Sequence, residues 1–148
     1  MDRFLAHFPA DLLLQPEHQV WARLDADGLV TVGITDLGIQ LSGEIYMCRP
    51  KVVGSAVAQG RSIAVVELAK SIVSVKSPLS GVVEAVNPLL ATAPEQVHQD
   101  PYGQGWLARL RPSAWERERT MLLAGESAWA GMVAQARLHR ITLVAKDG

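Results

Sequence analysis

The chain has 148 residues, 49% of them hydrophobic and 20% charged, with a net charge of −1, the profile of an ordinary globular chain long enough for one cored domain. Lysine and arginine are scattered along the sequence, which gives no electrostatic footprint for nucleic acid or for an acidic membrane surface. Cys48 is the single cysteine, so there is no intrachain disulfide to place, and no run of eighteen apolar residues offers a membrane span.

The first segment, Phe4 to Leu14, is predicted as a short helix or an extended lead-in ended by Pro16. Its acids, Asp2 and Asp11, and the interruption at Pro9 do not suit a signal peptide, and the cytoplasm is the expected compartment. From Trp21 the pattern becomes β: VWARLDADGLVTVGIT places an Asp27-Gly28 turn between two strands. LGIQLSGEIYMC is expected to open as a helical turn and enter a strand near Glu44. Gly54 and Gly60 mark turns, and RSIAVVEL reads as a buried strand rich in β-branched residues. SIVSVKSP is its partner, with Leu68-Ala69-Lys70-Ser71 as the connection; period two puts Val73 and Val75 on one face and Ile72, Ser74 and Lys76 on the other. Strands are also expected in GVVEAVN and WLARLRP, joined by a long loop. After Pro112, Ser113 and Glu116 have the spacing of a capping box, and WERERTMLLAG reads as a helix closing at Gly125. SAWAGMVAQARLH is a second, weaker helix, and RITLVAKDG a short strand or tail. Many strands followed by helices describe an α+β, mostly β, domain.

Only four lysines occur, Lys51, Lys70, Lys76 and Lys146, against ten arginines, and Lys70 falls on the predicted hairpin bend. Its amine, with a reference pKa of ~10.4, is almost wholly protonated at neutral pH and makes a poor nucleophile. An exposed bend with small neighbours, Ala69 and Ser71, suits covalent attachment of a group by a modifying enzyme. A solvated turn lysine of no function fits the same spacing, and both readings stand at this point.

The stretches HQVWARL, LVTVGITDLG, LSGEIYM, VVELAKSIVSVKSPLSGVVEAVN and QDPYGQGWLARL occur in the order, from about His18 to Leu110, seen in lipoyl-carrier proteins. The chain resembles the H protein of the glycine cleavage system. The resemblance implies a hybrid-motif (barrel-sandwich) lipoyl domain with flanking N- and C-terminal helices. It implies one domain over residues 1–148, with a core at about 18–110 and a helical extension at about 113–148. It further implies lipoate in amide linkage to Lys70, attached by a lipoate ligase or lipoyl transferase, with Glu67 a candidate for recognition by that enzyme. Biotin is disfavoured, because biotinyl domains flank their lysine with methionines and Ala69 and Ser71 stand here instead. Such a protein is a substrate carrier and not an enzyme. A monomer suits a shuttle that must reach several active sites.

The sequence also departs from that family's pattern. Around the lysine, E-L-A-K-S replaces a form close to E-S-V-K-A; an acidic position is lost downstream and Lys76 is added. GEIYMCRPKVVG introduces Cys48, Arg49 and Lys51, and Trp21 sits one position later than the family's H-E-W-V motif places it. These changes surround the attachment point without touching it. They suggest different docking partners, and the pattern is similar to lipoate-binding proteins of the heterodisulfide-reductase-like sulfur-oxidising system. The favoured expectation is therefore a carrier of sulfur-containing intermediates serving a heterodisulfide-reductase-like complex and sulfurtransferases. The alternative is an H protein carrying the aminomethyl group for glycine cleavage enzymes, and a third reading is an unlipoylated binding module.

Other residues read as architecture. Cys48, among Ile45 and Met47, is expected to be a small buried hydrophobe. His7, His18, His98 and His139 lack ligand-like spacing, so no metal site is expected. Gly54, Gly60, Gly81 and the Asp100–Trp106 loop serve turns and packing. Trp115 and Trp129 are expected to bury one face of the C-terminal helices.

Overall fold

A computed structural model describes Pro9 and residues 11–138. Among the described residues, nine strands form two antiparallel sheets. The larger has the order β1 (Leu13–Gln15), β2 (Val20–Leu24), β3 (Val30–Ile34), β9 (Ala108–Pro112), β8 (Gly81–Val86) and β5 (Ala56–Val57); the smaller has the order β4 (Met47–Pro50), β6 (Ser62–Glu67) and β7 (Ile72–Lys76). Helix α1 (Asp36–Ser42) follows β3, α2 (Gln96–Gln99) lies in the long β8–β9 connection, and α3 (Trp115–Glu118) and α4 (Gly125–Leu138) follow β9.

The sheets share one apolar core. Val20, Ala22, Val30 and Val32 from β2 and β3, with Val83 and Leu110 from β8 and β9, meet Cys48, Ala64, Val66 and Val75 of the smaller sheet. The two-residue period of each strand puts these residues on its inward face, while β3, buried at all five positions, is covered on both faces. This is the barrel-sandwich arrangement expected from the sequence. The β2–β3 hairpin turns at Gly28, whose φ of +86° suits glycine.

A second, smaller core lies on the outer side of the large sheet, where Leu12, Leu14, Trp21 and Leu37 pack against Ala128, Met132 and Ala136 of α4. Trp21 is directly opposite Gly33 in the β2–β3 register, and its ring occupies the space a Cβ on Gly33 would need, only 2.5 Å away. Its Nε1 donates to the carbonyl of Pro101 at 3.1 Å, and Tyr102 stacks obliquely beside it with centroids 6.0 Å apart. The Asp100–Trp106 loop is thereby a clamp on the β2–β3 hairpin, in keeping with its architectural reading.

Several expectations are corrected. The capping box is absent: Ala114, not Ser113, precedes α3, without a side-chain cap. WERERTMLLAG forms one helical turn and a 3-10 turn, Arg119–Met121, and then extends, because Leu14 and Leu123 exchange backbone hydrogen bonds at 2.8 Å. Gly125 opens α4 instead of closing a helix, and α4, expected to be the weaker helix, is the longest among the described residues. Its buried stripe is Ala128, Met132 and Ala136 at i, i+4 and i+8, with Trp129 half-buried beside it. The strand expected near Glu44 begins at Met47. Of Phe4 to Leu14, expected as a short helix or an extended lead-in, the described part leads into β1 at Leu13, the extended alternative; its residues before Pro9, His7, His139 and the RITLVAKDG segment lie outside the described residues.

Candidate functional site

The β6–β7 hairpin is paired from Ser62 opposite Lys76 to Glu67 opposite Ile72. Its connection is Leu68-Ala69-Lys70-Ser71, closed by the Leu68 N–H donating to the Ser71 carbonyl at 2.8 Å. No residue of this turn has a positive φ, so it needs no glycine and accommodates a lysine without backbone strain. Leu68 packs against the main core, while Ala69, Lys70 and Ser71 are exposed. The bend therefore has a fixed base and an open tip. No hydrogen bond or ion pair from a described residue engages the Lys70 ammonium.

Glu67 ends β6 half-buried, three residues before Lys70. It lies between Met47 of β4 and Ile72 of β7 in the cross-strand register, and its carbonyl accepts from the Tyr46 N–H at 2.8 Å. Tyr46, Met47, Ile72 and Val73 are all substantially exposed, Ile72 by 67%. An apolar collar thus borders the lysine.

Beside β7 lies a groove of ≈ 120 Å³ lined by His18, Gln19, Ile34, Gly38, Ile45 and Val73 among others. Gln19 is a residue that the sequence reading passed over. It is buried at φ 57°, its Nε2 donates to the Pro16 carbonyl at 2.7 Å, and its Oε1 accepts from Thr35 Oγ1 at 2.5 Å. Thr35 in turn caps α1 by accepting from the Gly38 N–H at 3.0 Å. A non-glycine residue in the left-handed region has no signature in composition or periodicity, so only the folded backbone reveals it.

Cys48 is buried, and burial pushes its thiol pKa up to about 12. A thiol protonated throughout the physiological range is a packing group, not a nucleophile. His98 is spoken for, since its Nε2 accepts from the Ile45 N–H at 2.9 Å, and the described residues contain no cluster able to hold a metal ion. No helix among them is long and apolar enough to cross a membrane.

Comparison with known proteins supplies the context for this hairpin. The sequence model of the family "Glycine cleavage H-protein" matches residues 12–135. Glycine cleavage system H protein 2 of Aquifex aeolicus is 39% identical over 120 residues, covering 81% of this chain and 74% of that protein. The glycine cleavage system H protein of a Psychrobacter species (strain PRwf-1) is 38% identical, covering 82% of this chain and 96% of its own length. The crystal structure of a glycine cleavage system H protein from Mycobacterium marinum superimposes with a TM-score of 0.70 at 27% identity, over 90% of this chain and 99% of that one. These matches support the glycine cleavage alternative; they lend no support to the sulfur-oxidation role that the local departures suggested.

Proposed function

The chain belongs to the glycine cleavage H-protein family, and from that premise we propose that it is a lipoyl carrier serving glycine cleavage enzymes, with lipoate in amide linkage to Lys70. The observation that carries the site assignment is the core-anchored bend with an exposed, unengaged lysine at its tip. The residues fit the group: Ala69 and Ser71 leave the amine open to a ligase, and Leu68 holds the bend in place. When attached, lipoate supplies a disulfide that exchanges with thiols and accepts electrons or a fragment.

The protein's own contribution is positional. The hairpin presents the arm at a fixed point, and docking raises the arm's local concentration at a partner's active site. Val73, which lines the apolar groove beside β7, lies three residues from Lys70, roughly 10 Å along an extended strand. That groove is within reach of a group tethered at the tip and offers it a water-poor surface. Glu67, on the strand leading to the bend, is the residue we assign to recognition by the lipoate ligase or lipoyl transferase. On this reading residues 1–148 act as one carrier domain, since α4 seats on Trp21 and Leu14 and joins the second core to the sandwich.

Intact-mass analysis of protein made with lipoate and a ligase is expected to show a single adduct, mapped to Lys70. Lys70→Arg should abolish it while changing stability by less than about 0.5 kcal/mol, as for an exposed turn residue. The lipoylated protein should support glycine-dependent release of carbon dioxide with glycine decarboxylase and aminomethyltransferase. A lipoylated protein inert in that assay, yet turned over by a heterodisulfide-reductase-like complex, would move the assignment to sulfur oxidation. An adduct at Lys76 in place of Lys70 would overturn the site.

A further inference from the structure

The geometry points to the outer face of the β4–β6–β7 sheet as a docking surface for a carboxylate-rich patch on the enzyme that receives the arm. This rests on the carrier assignment and adds the chemistry of its partner. Antiparallel register brings residues far apart in sequence onto that face. Arg49 lies opposite Val65, which lies opposite Ser74. The Lys51 N–H donates to the Ile63 carbonyl at 2.9 Å, and Lys76 stands opposite Ser62. Arg61 follows at the end of the hairpin away from Lys70. Arg49, Lys51, Arg61 and Lys70 are exposed and Lys76 is half-buried, with Glu67 the carboxylate among them.

These cations differ from most others in the molecule. Arg23 and Arg109 pair with Asp25 at 2.9 and 3.1 Å, Arg111 with Glu84 at 2.6 Å, and Arg119 with Glu116 at 3.2 Å. None of the five cations on the hairpin sheet lies within ion-pair distance of a described carboxylate. On a chain of net charge −1, this face is therefore basic and the remainder acidic. Unpaired like charges on one face repel one another and gain the fold nothing, whereas they draw an acidic surface in from a distance.

The layout suits a protein partner. Exposed Tyr46, Met47 and Ile72 form an apolar patch next to the tip, and the cations extend from it along the sheet, a combination of apolar and charged surface that suits a protein–protein interface. Acylation of Lys70 would remove one charge and leave four cations, Arg49, Lys51, Arg61 and Lys76, along the sheet on the side of Glu67 away from the tip. That is short of the ~6–10 phosphate contacts that give nucleic-acid binding its strength. The sheet also carries the attachment turn, so a partner seated on it meets the arm at once.

The test uses the full-length lipoylated protein, with the Lys70 adduct verified by mass, as the varied substrate of glycine decarboxylase and, in its reduced form, of a dihydrolipoyl dehydrogenase. At about 20 mM salt, where charges act over roughly 20 Å, Arg49→Glu/Lys76→Glu should raise KM at least ~10-fold with at least one enzyme, with kcat unchanged. The wild-type KM should climb toward the variant's value near ~0.5 M salt as screening sets in. Arg49→Gln/Lys76→Gln should fall between them, and Arg119→Glu/Arg137→Glu, the same change in net charge placed off the sheet, should leave KM where it was. Free dihydrolipoamide, which bypasses docking, should be turned over by the dehydrogenase independently of the variants. Equal KM values for wild type and Arg49→Glu/Lys76→Glu with both enzymes would overturn the surface, as would an equal effect of the off-sheet pair, or a lipoylated wild type that neither enzyme turns over. Absence of the mass adduct is the separate failure of the carrier reading.

Discussion

Lys70 and Cys48 show how environment decides what a reactive side chain does. Lys70 is exposed because the turn that carries it is closed by its own backbone and pinned by Leu68. Cys48 faces the other way on β4, opposite Val66 and inside the sandwich, where the thiolate would lose its hydration. With its pKa raised to about 12, the thiol should be inert to an aromatic disulfide reagent at pH ~8 in the folded protein and react freely in urea. Rapid labelling under native conditions would contradict that burial. Glu118 makes a related point: it is buried, yet satisfied, because its carboxylate accepts from the Ser80 N–H at 2.8 Å and the Ser80 hydroxyl at 2.7 Å. The α3 turn thus holds the loop between β7 and β8 through one side chain.

At the scale of elements, β2 and β3 show the consequence of a strict two-residue period. Moving a tryptophan by one position along a strand sends it to the opposite face. Trp21, one position later than the H-E-W-V motif places its tryptophan, stands between Val20 and Ala22 of the sandwich core and points to the outer layer. Gly33 opposite provides the room. Gly33→Ala should therefore destabilise the protein by about 1–3 kcal/mol through overpacking, because the ring is held by Pro101 and cannot slide away. Urea unfolding measures this, and a loss below ~0.5 kcal/mol would mean that the second core is softer than its packing indicates. The weaker-looking helix became the longest for the same reason: small residues at Ala128 and Ala136 let α4 lie close on the sheet, a tertiary gain invisible to local propensity.

For the molecule as a whole, Asp25 ties three strands of the larger sheet at the end of the β2–β3 hairpin. Burial pushes its carboxyl pKa up, but hydrogen bonds from Thr31, Arg23 and Arg109 outweigh that and hold it below its ordinary value. A carboxylate depressed in the folded state contributes stability in full above the unfolded pKa of ~3.9, and loses it as the pH falls through the lower folded value. Asp25→Asn should thus be less stable than wild type at pH ~6, with the gap closing as the pH falls below the unfolded value of ~3.9 and through the lower folded one. A gap that stayed constant down to pH ~2 would show that Asp25 acts by packing and not by charge.

The paired strands β6 and β7, the turn between them and the lysine at its tip could be read directly from residues 62–76, because a hairpin is a local object: alternation sets its faces and its turn residues set its ends. The Asp27-Gly28 turn was legible on the same grounds. The helix expected over WERERTMLLAG was read too long, because the exchange between Leu14 and Leu123, 109 residues apart, pulled the chain out of helix. The basic residues that look scattered along the sequence, Arg49, Lys51, Arg61 and Lys76, come onto one sheet only through the β4–β6–β7 pairing and the backbone hydrogen bonds that continue it. The seat of α4, the left-handed Gln19 and the side to which Trp21 points were decided in the same way. Sequence determines structure unaided where the interacting groups are close along the chain; where they are distant, burial and cross-strand pairing choose among faces that local preference leaves equal.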